Sequence, residues 1–202
     1  MTTSTTSTTP TSPVLPTPSH TVGPFYGYAL PFPGGAETAP AGHPDAITVH
    51  GRVSDGRGAP VPDALLEFWG PGPEGQLPSA AGSLRRDPVT GGFAGPVGDF
   101  TGFCRVPTDS DGHWSVRTLR PGARGGNAPY LSVCVFARGL LHHLFTRVYL
   151  PEPGDTLAAD PLLASLPPER RATLVAAAEP RAGYRFDIRL QGEAETVFLE
   201  FV

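Results

Sequence analysis

The chain has 202 residues, of which 25 are glycine and 25 proline, with a formal net charge of −4. Gly and Pro at about a quarter of the sequence disfavour long helices by about 1 to 3 kcal/mol per interior residue, and no Gly-X-Y period points to collagen. A 39% hydrophobic content at so small a net charge excludes wholesale disorder, and the acidic balance argues against a nucleic-acid surface.

All 15 basic residues are arginine, a bias we read as base composition of the source genome more than as chemistry. No apolar run reaches the length needed to cross a bilayer, so no membrane association is expected. The first residues lack the basic and apolar regions of a secretory signal. The two cysteines, Cys104 and Cys134, read as reduced thiols in a cytoplasmic protein.

Residues 1–16 are almost entirely Thr, Ser and Pro and read as a disordered tail. Residues 17–44 read as an extended arm. Its first half sets Phe25, Tyr26, Tyr28 and Phe32 among prolines and glycines. That composition predicts neither a regular helix nor a central strand. Four aromatics would be costly to leave in water, so the arm is expected to pack on a surface, either that of its own domain or that of a partner. Residues 45–202 read as one domain.

The domain reads strand after strand. Ile47–Val53 precedes the turn Ser54–Gly58, and Ala64–Trp69 runs into a Pro/Gly turn. Gly70–Gly102 is a long connection, of the kind that is functional or inserted. His113–Leu119 follows the turn Asp109–Gly112, and Tyr130–Ala137 suits a central strand. His142–Leu150 is another strand. In Tyr184–Leu190, Tyr184, Phe186, Ile188 and Leu190 alternate with Arg185, Asp187 and Arg189, the period of a half-buried strand. Thr196–Phe201 completes the set. Only Pro167–Ala178 reads as helix, with prolines at its start. The fold expected is mainly β, an antiparallel β-sandwich of immunoglobulin- or transthyretin-like topology, with one short late helix and the N-terminal arm.

Six histidines raise the question of a metal. His142 and His143 are neighbours on a predicted strand and point to opposite faces. The remaining four are scattered, with no His-x-His, His-x-x-x-His or Cys-x-x-Cys spacing. A nucleophile elbow and phosphate-binding glycine motifs are absent as well. From its residue pattern alone the chain carries no complete catalytic constellation.

Several segments together resemble the intradiol ring-cleavage dioxygenases. They are TPSHTVGPF (17–25), ITVHGRVSDGRGAPVPDALLEFW (47–69), TDSDGHWSVRTLRPG (108–122), FARGLLHHLFTRVYL (136–150) and YRFDIRLQGEAETVFLEF (184–201). The match covers nearly everything after Pro16 except the 70–102 connection. The 47–69 hairpin alone would also fit a non-catalytic β-sandwich binding module, transthyretin-like or carboxypeptidase-regulatory-like; the arm and the FARG block would not.

The resemblance implies a subunit of a heteromeric enzyme that cleaves protocatechuate with O2, the Fe3+ being held by two tyrosines and two histidines of a beta subunit. The positions here that match those four ligands are Leu77, Arg124, Tyr130 and Ser132. None but Tyr130 is of a ligand type, and Tyr130 stands where a histidine would. This chain is therefore expected to bind no metal and to hold no catalytic residue of its own. By the same match, Thr21, Gly23, Pro24 and Phe25 of the arm would line the substrate pocket at the subunit interface, with Phe25 where the family usually has tyrosine. Arg138, the arginine of the FARG block, would offer a fixed positive charge to an aromatic carboxylate.

Overall fold

The computed structural model describes residues 16–21, 23, 25–78, 85–86, 88–89, 91, 93–94, 100–181 and 183–201. Residues 1–15 of the expected tail, Pro24 of the arm and much of the 70–102 connection lie outside the described residues.

Two sheets face each other across one core. The first is built on β1 (Ala46–Ser54), whose burial alternates residue by residue. Its partner β6 (His113–Leu119) runs antiparallel, pairing Val49 with Val116 and Gly51 with Trp114. The reversal that leads into β6 depends on Gly112, at φ +72°, where a Cβ would meet the Val53 carbonyl oxygen at 2.5 Å. The second sheet has the order β5 (Phe103–Pro107), β2 (Leu65–Trp69), β7 (Tyr130–Phe136), β8 (Leu144–Tyr149), antiparallel throughout. Inward residues of both sheets interlock: Val49, Val53, Trp114 and Val116 from the first, Leu66, Phe68, Val133, Val135 and Val148 from the second. Trp114 and Phe68 meet with ring centroids 4.9 Å apart; complete burial of side chains of this size stabilises by about 1.5 to 3 kcal/mol each.

The mainly β sandwich expected from the sequence is present, with corrections. β5 was not anticipated. It is five residues long, follows a glycine-rich stretch and ends in proline, so it carries little strand signal. The predicted strand Tyr184–Leu190 keeps its alternation, with Phe186 and Ile188 buried, but divides into β10 (Gly183–Arg185) and β11 (Ile188–Arg189). Both lie parallel to β1, an exception to the antiparallel rule. The break falls where Gly51 presses its Cα against the Phe186 carbonyl, a spot a Cβ would occupy. Thr196–Phe201 forms no ladder; it touches β8 by one bridge, Leu199 N–H donating to the Phe145 carbonyl at 2.8 Å.

The helix expected over 167–178 is only α3 (Pro168–Ala172), followed by the short β9 (Ala177–Glu179), which pairs with β10. An additional helix, α2 (Pro161–Ser165), precedes it. These segments, with Tyr149, Leu163, Leu174 and Val197, enclose a second, smaller core. Within the 70–102 connection, β3 (Arg85–Arg86) pairs with β4 (Phe93–Ala94).

The arm is not wholly irregular. Tyr26–Ala29 makes one helical turn, α1. Tyr26 is buried and its hydroxyl donates to the Asp63 carbonyl at 2.7 Å. Further on, the Thr38 hydroxyl donates to that of Thr118 at 2.7 Å, and Arg105 N–H donates to the Gly35 carbonyl at 2.8 Å. This part of the arm packs on its own domain, while Phe25 and Tyr28 stay 75% and 86% exposed.

Candidate functional site

One cleft opens at the end of the second sheet. Trp69, the last residue of β2, lies in register with Ser132 of β7. Tyr130 and Ser132 are two residues apart on one strand and so share its outward face. The loop after β2 is tied to the loop after β6: Gly72 N–H donates to the Gln76 carbonyl at 2.8 Å, and Gly122 N–H to the Gly72 carbonyl at 2.9 Å. That tie carries Leu77 over the sheet end. A turn closed by Asn127 N–H donating to the Arg124 carbonyl at 3.1 Å brings in Arg124. The cleft has a volume of about 270 Å³, and its lining includes Trp69, Leu77, Arg124, Asn127, Tyr130 and Ser132.

Leu77, Arg124, Tyr130 and Ser132 therefore meet around one space, although more than fifty residues separate the first from the last. Chemically they do not fit a ferric ion. Leu77 offers no donor atom, and Arg124 places a cation where the ion would sit. Tyr130 supplies the one phenol oxygen, and the Arg147 guanidinium lies over its ring at 4.1 Å from the centroid. Among the described residues no group of three His, Cys, Asp or Glu converges elsewhere. His50 is engaged by Glu179 at 2.9 Å.

Behind this cleft sits a buried carboxylate that sequence reasoning missed. Asp160 is fully buried. Its Oδ1 accepts from Leu162 N–H at 3.0 Å, Leu163 N–H at 3.1 Å and the Tyr149 hydroxyl at 3.1 Å. Its Oδ2 accepts from Ala128 N–H at 2.9 Å. Asp160 thus caps α2 and pins the segment leading into Tyr130. Arg147 donates to the Tyr149 hydroxyl at 3.0 Å, which links the network to the ring of Tyr130. Burial pushes the Tyr149 phenol up to about 12. An Asp directly before a Pro at a helix start was the signal available for Asp160.

Arg138 lies in a different cleft, of about 280 Å³. It shares that lining with Gly27, Tyr28, Asp63, Thr108 and Asp109. Its guanidinium pairs with Asp63 at 2.6 Å and remains 60% exposed. Asp63 is held in a left-handed conformation, φ 118°, by Thr108, whose hydroxyl accepts from Asp63 N–H at 3.0 Å and from Ala64 N–H at 2.9 Å. Burial first, and then the Asp63 charge, raise the Tyr26 phenol above its usual range. So α1 of the arm and Arg138 converge on Asp63. Thr21 is exposed, Gly23 is half-buried at φ +71°, and Phe25 is exposed; none of the three is among the residues lining the Arg138 cleft. The ion pair with Asp63 was not legible in the sequence, since it joins residues 75 positions apart.

No protein-family profile matches the chain. It is 41% identical over 201 residues to the protocatechuate 3,4-dioxygenase alpha chain of Burkholderia cepacia, covering 91% of this chain and 96% of that one. With the alpha chain of Pseudomonas putida it shares 34% over 206 residues, 92% and 96% of the two chains. The beta chain of Burkholderia cepacia is 31% identical over 167 residues, 75% of this chain and 67% of that one. The dioxygenase domain of a carbohydrate-binding fusion protein from Streptomyces sp. SirexAA-E superposes with a TM-score of 0.53 at 23% identity, covering 88% and 99%. An intradiol ring-cleavage dioxygenase from Tetranychus urticae superposes at 0.57 with 14% identity, covering 76% and 84%. At those identities the structural likeness speaks for the fold, while the extended sequence identity decides the kinship: the chain belongs to the intradiol ring-cleavage dioxygenase family, among its protocatechuate 3,4-dioxygenase chains.

Proposed function

We propose that this chain is the alpha subunit of a heteromeric dioxygenase that converts protocatechuate and O2 to 3-carboxy-cis,cis-muconate. In that reaction the bond between the two hydroxyl-bearing ring carbons breaks, and each of those carbons gains one oxygen atom of O2. The observation that carries the reading is the composition of the cleft at Leu77, Arg124, Tyr130 and Ser132, which does not suit iron in a chain otherwise similar to alpha chains along nine-tenths of its length. Fe3+ and its ligands are assigned to a beta subunit, and no step of the chemistry is assigned to this chain's own atoms.

What this chain contributes is a wall and a charge. The exposed aromatics Phe25 and Tyr28, which would be costly to leave in water, support an arm surface covered by the partner. Thr21, Gly23, Pro24 and Phe25 are assigned to the pocket wall, and Arg138 to the substrate carboxylate. A guanidinium already held by Asp63 starts with fewer conformations to lose when it binds a second carboxylate. In domain terms, residues 1–16 are a tail, 17–44 the arm and 45–202 the sandwich. Cys104 and Cys134 are both free thiols, and we assign the chain to the cytoplasm.

Reconstitution tests the assignment. Oxygen uptake with protocatechuate is expected from the mixed chains at full rate and from this chain alone not at all. Full turnover by this chain without a partner would overturn it.

A further inference from the structure

The cleft that does not suit iron is well furnished for something else. Among the described residues, the Arg124 guanidinium is exposed and has no carboxylate or hydrogen-bond partner. The hydroxyls of Tyr130 and Ser132 make no hydrogen bond there either, although both residues are half-buried. Trp69 is 41% exposed at the mouth, its indole backed by the Phe103 ring at a centroid distance of 6.1 Å. Tyr130 is itself held by the Arg147 guanidinium over its ring and by Tyr149, whose ring centroid is 5.5 Å away. The cleft thus joins two fixed aromatic walls, an unneutralised cation and two idle hydroxyls in about 270 Å³.

We propose that this cleft binds a small planar aromatic carboxylate. The ring lies between Trp69 and Tyr130, the carboxylate meets Arg124, and a ring hydroxyl finds Tyr130 or Ser132. The aromatic walls disfavour an aliphatic or polyphosphate anion, and the cation disfavours a neutral phenol. The site is one of binding and not of turnover, because nothing in it activates the ligand. It rests on this chain's own residues and is independent of the activity proposed for the assembly.

The probe is 4-hydroxybenzoate, which lacks the vicinal diol and cannot be cleaved. The chain has two tryptophans, and Trp114 is 1% exposed, so Trp69 reports on the cleft. Saturable quenching of the full chain by 4-hydroxybenzoate is expected, with phenol and cyclohexanecarboxylate each about tenfold weaker or more. Arg124→Gln should weaken 4-hydroxybenzoate by about tenfold or more, and Trp69→Phe should remove the signal. Equal affinity in Arg124→Gln, or no saturable binding, overturns the proposal. If the chain is not monodisperse alone, equilibrium dialysis on the assembled enzyme decides: Arg124→Gln should shift one 4-hydroxybenzoate site per copy of this chain to about tenfold weaker affinity or more, and an isotherm identical to that of the unmutated enzyme refutes it.

Discussion

Replacing Asp160 by alanine is expected to destabilise the fold by about 3 to 7 kcal/mol. The figure follows from what the carboxylate satisfies. Loss of the cap on α2 exposes the amides of Leu162 and Leu163 and costs about 1 kcal/mol. The Ala128 amide and the Tyr149 hydroxyl, both buried, lose their acceptor; each unsatisfied donor costs about 1 to 3 kcal/mol. Leu163, Leu174 and Tyr149 then pack around a void where the carboxylate was. Equilibrium urea unfolding of the full chain, followed by Trp114 fluorescence, measures the change. The thermal midpoint should fall by roughly 10 °C. Asp160→Asn keeps an acceptor for the helix cap but turns an N–H toward Ala128, so its loss should fall between alanine and the native chain. An alanine variant within about 1 kcal/mol of the native chain would mean that water replaces all four bonds without cost, and that Asp160 does not hold this region together.

Two further outcomes follow from named contacts. Arg138→Ala in the assembled enzyme should raise KM for protocatechuate by about tenfold, the worth of a charge-assisted hydrogen bond, with folding intact because the side chain is largely exposed; unchanged KM and kcat would remove Arg138 from the pocket. Burial raises the Cys134 thiol and the Tyr149 phenol each to about 12. The folded forms thus hold their protons more tightly than the unfolded chain does. The stability they contribute is complete below about pH 9, where the unfolded groups begin to ionise, and is lost as pH rises toward 12. The urea midpoint should fall between pH 9 and 11, and a flat profile would contradict it.

The strands that were legible in the sequence are β1, β2, β6, β7, β8 and the segment split into β10 and β11, most of them marked by an alternation that decides which face is wet. The misses have physical causes. β5 takes its identity from pairing with β2, not from its own five residues. The end of the chain, Thr196–Phe201, has strand-like composition, but one bridge is all it forms. Parallel pairing of Phe186 and its neighbours with β1 depends on a close approach to Gly51 that no local pattern announces. The cleft was legible only through family resemblance, since Leu77, Arg124, Tyr130 and Ser132 come from separate loops and one strand. That their side chains form a single space, and that Asp63 holds Arg138, needed three dimensions.

This chain, though built on the scaffold of an iron enzyme, carries a cleft unsuited to the metal. The most direct measurement is the iron content and visible spectrum of the purified chain after incubation with ferric iron. No stoichiometric iron and no tyrosinate charge-transfer band are expected from the chain alone, with both appearing when the beta chain is added. One iron per lone chain, with that band, would contradict it.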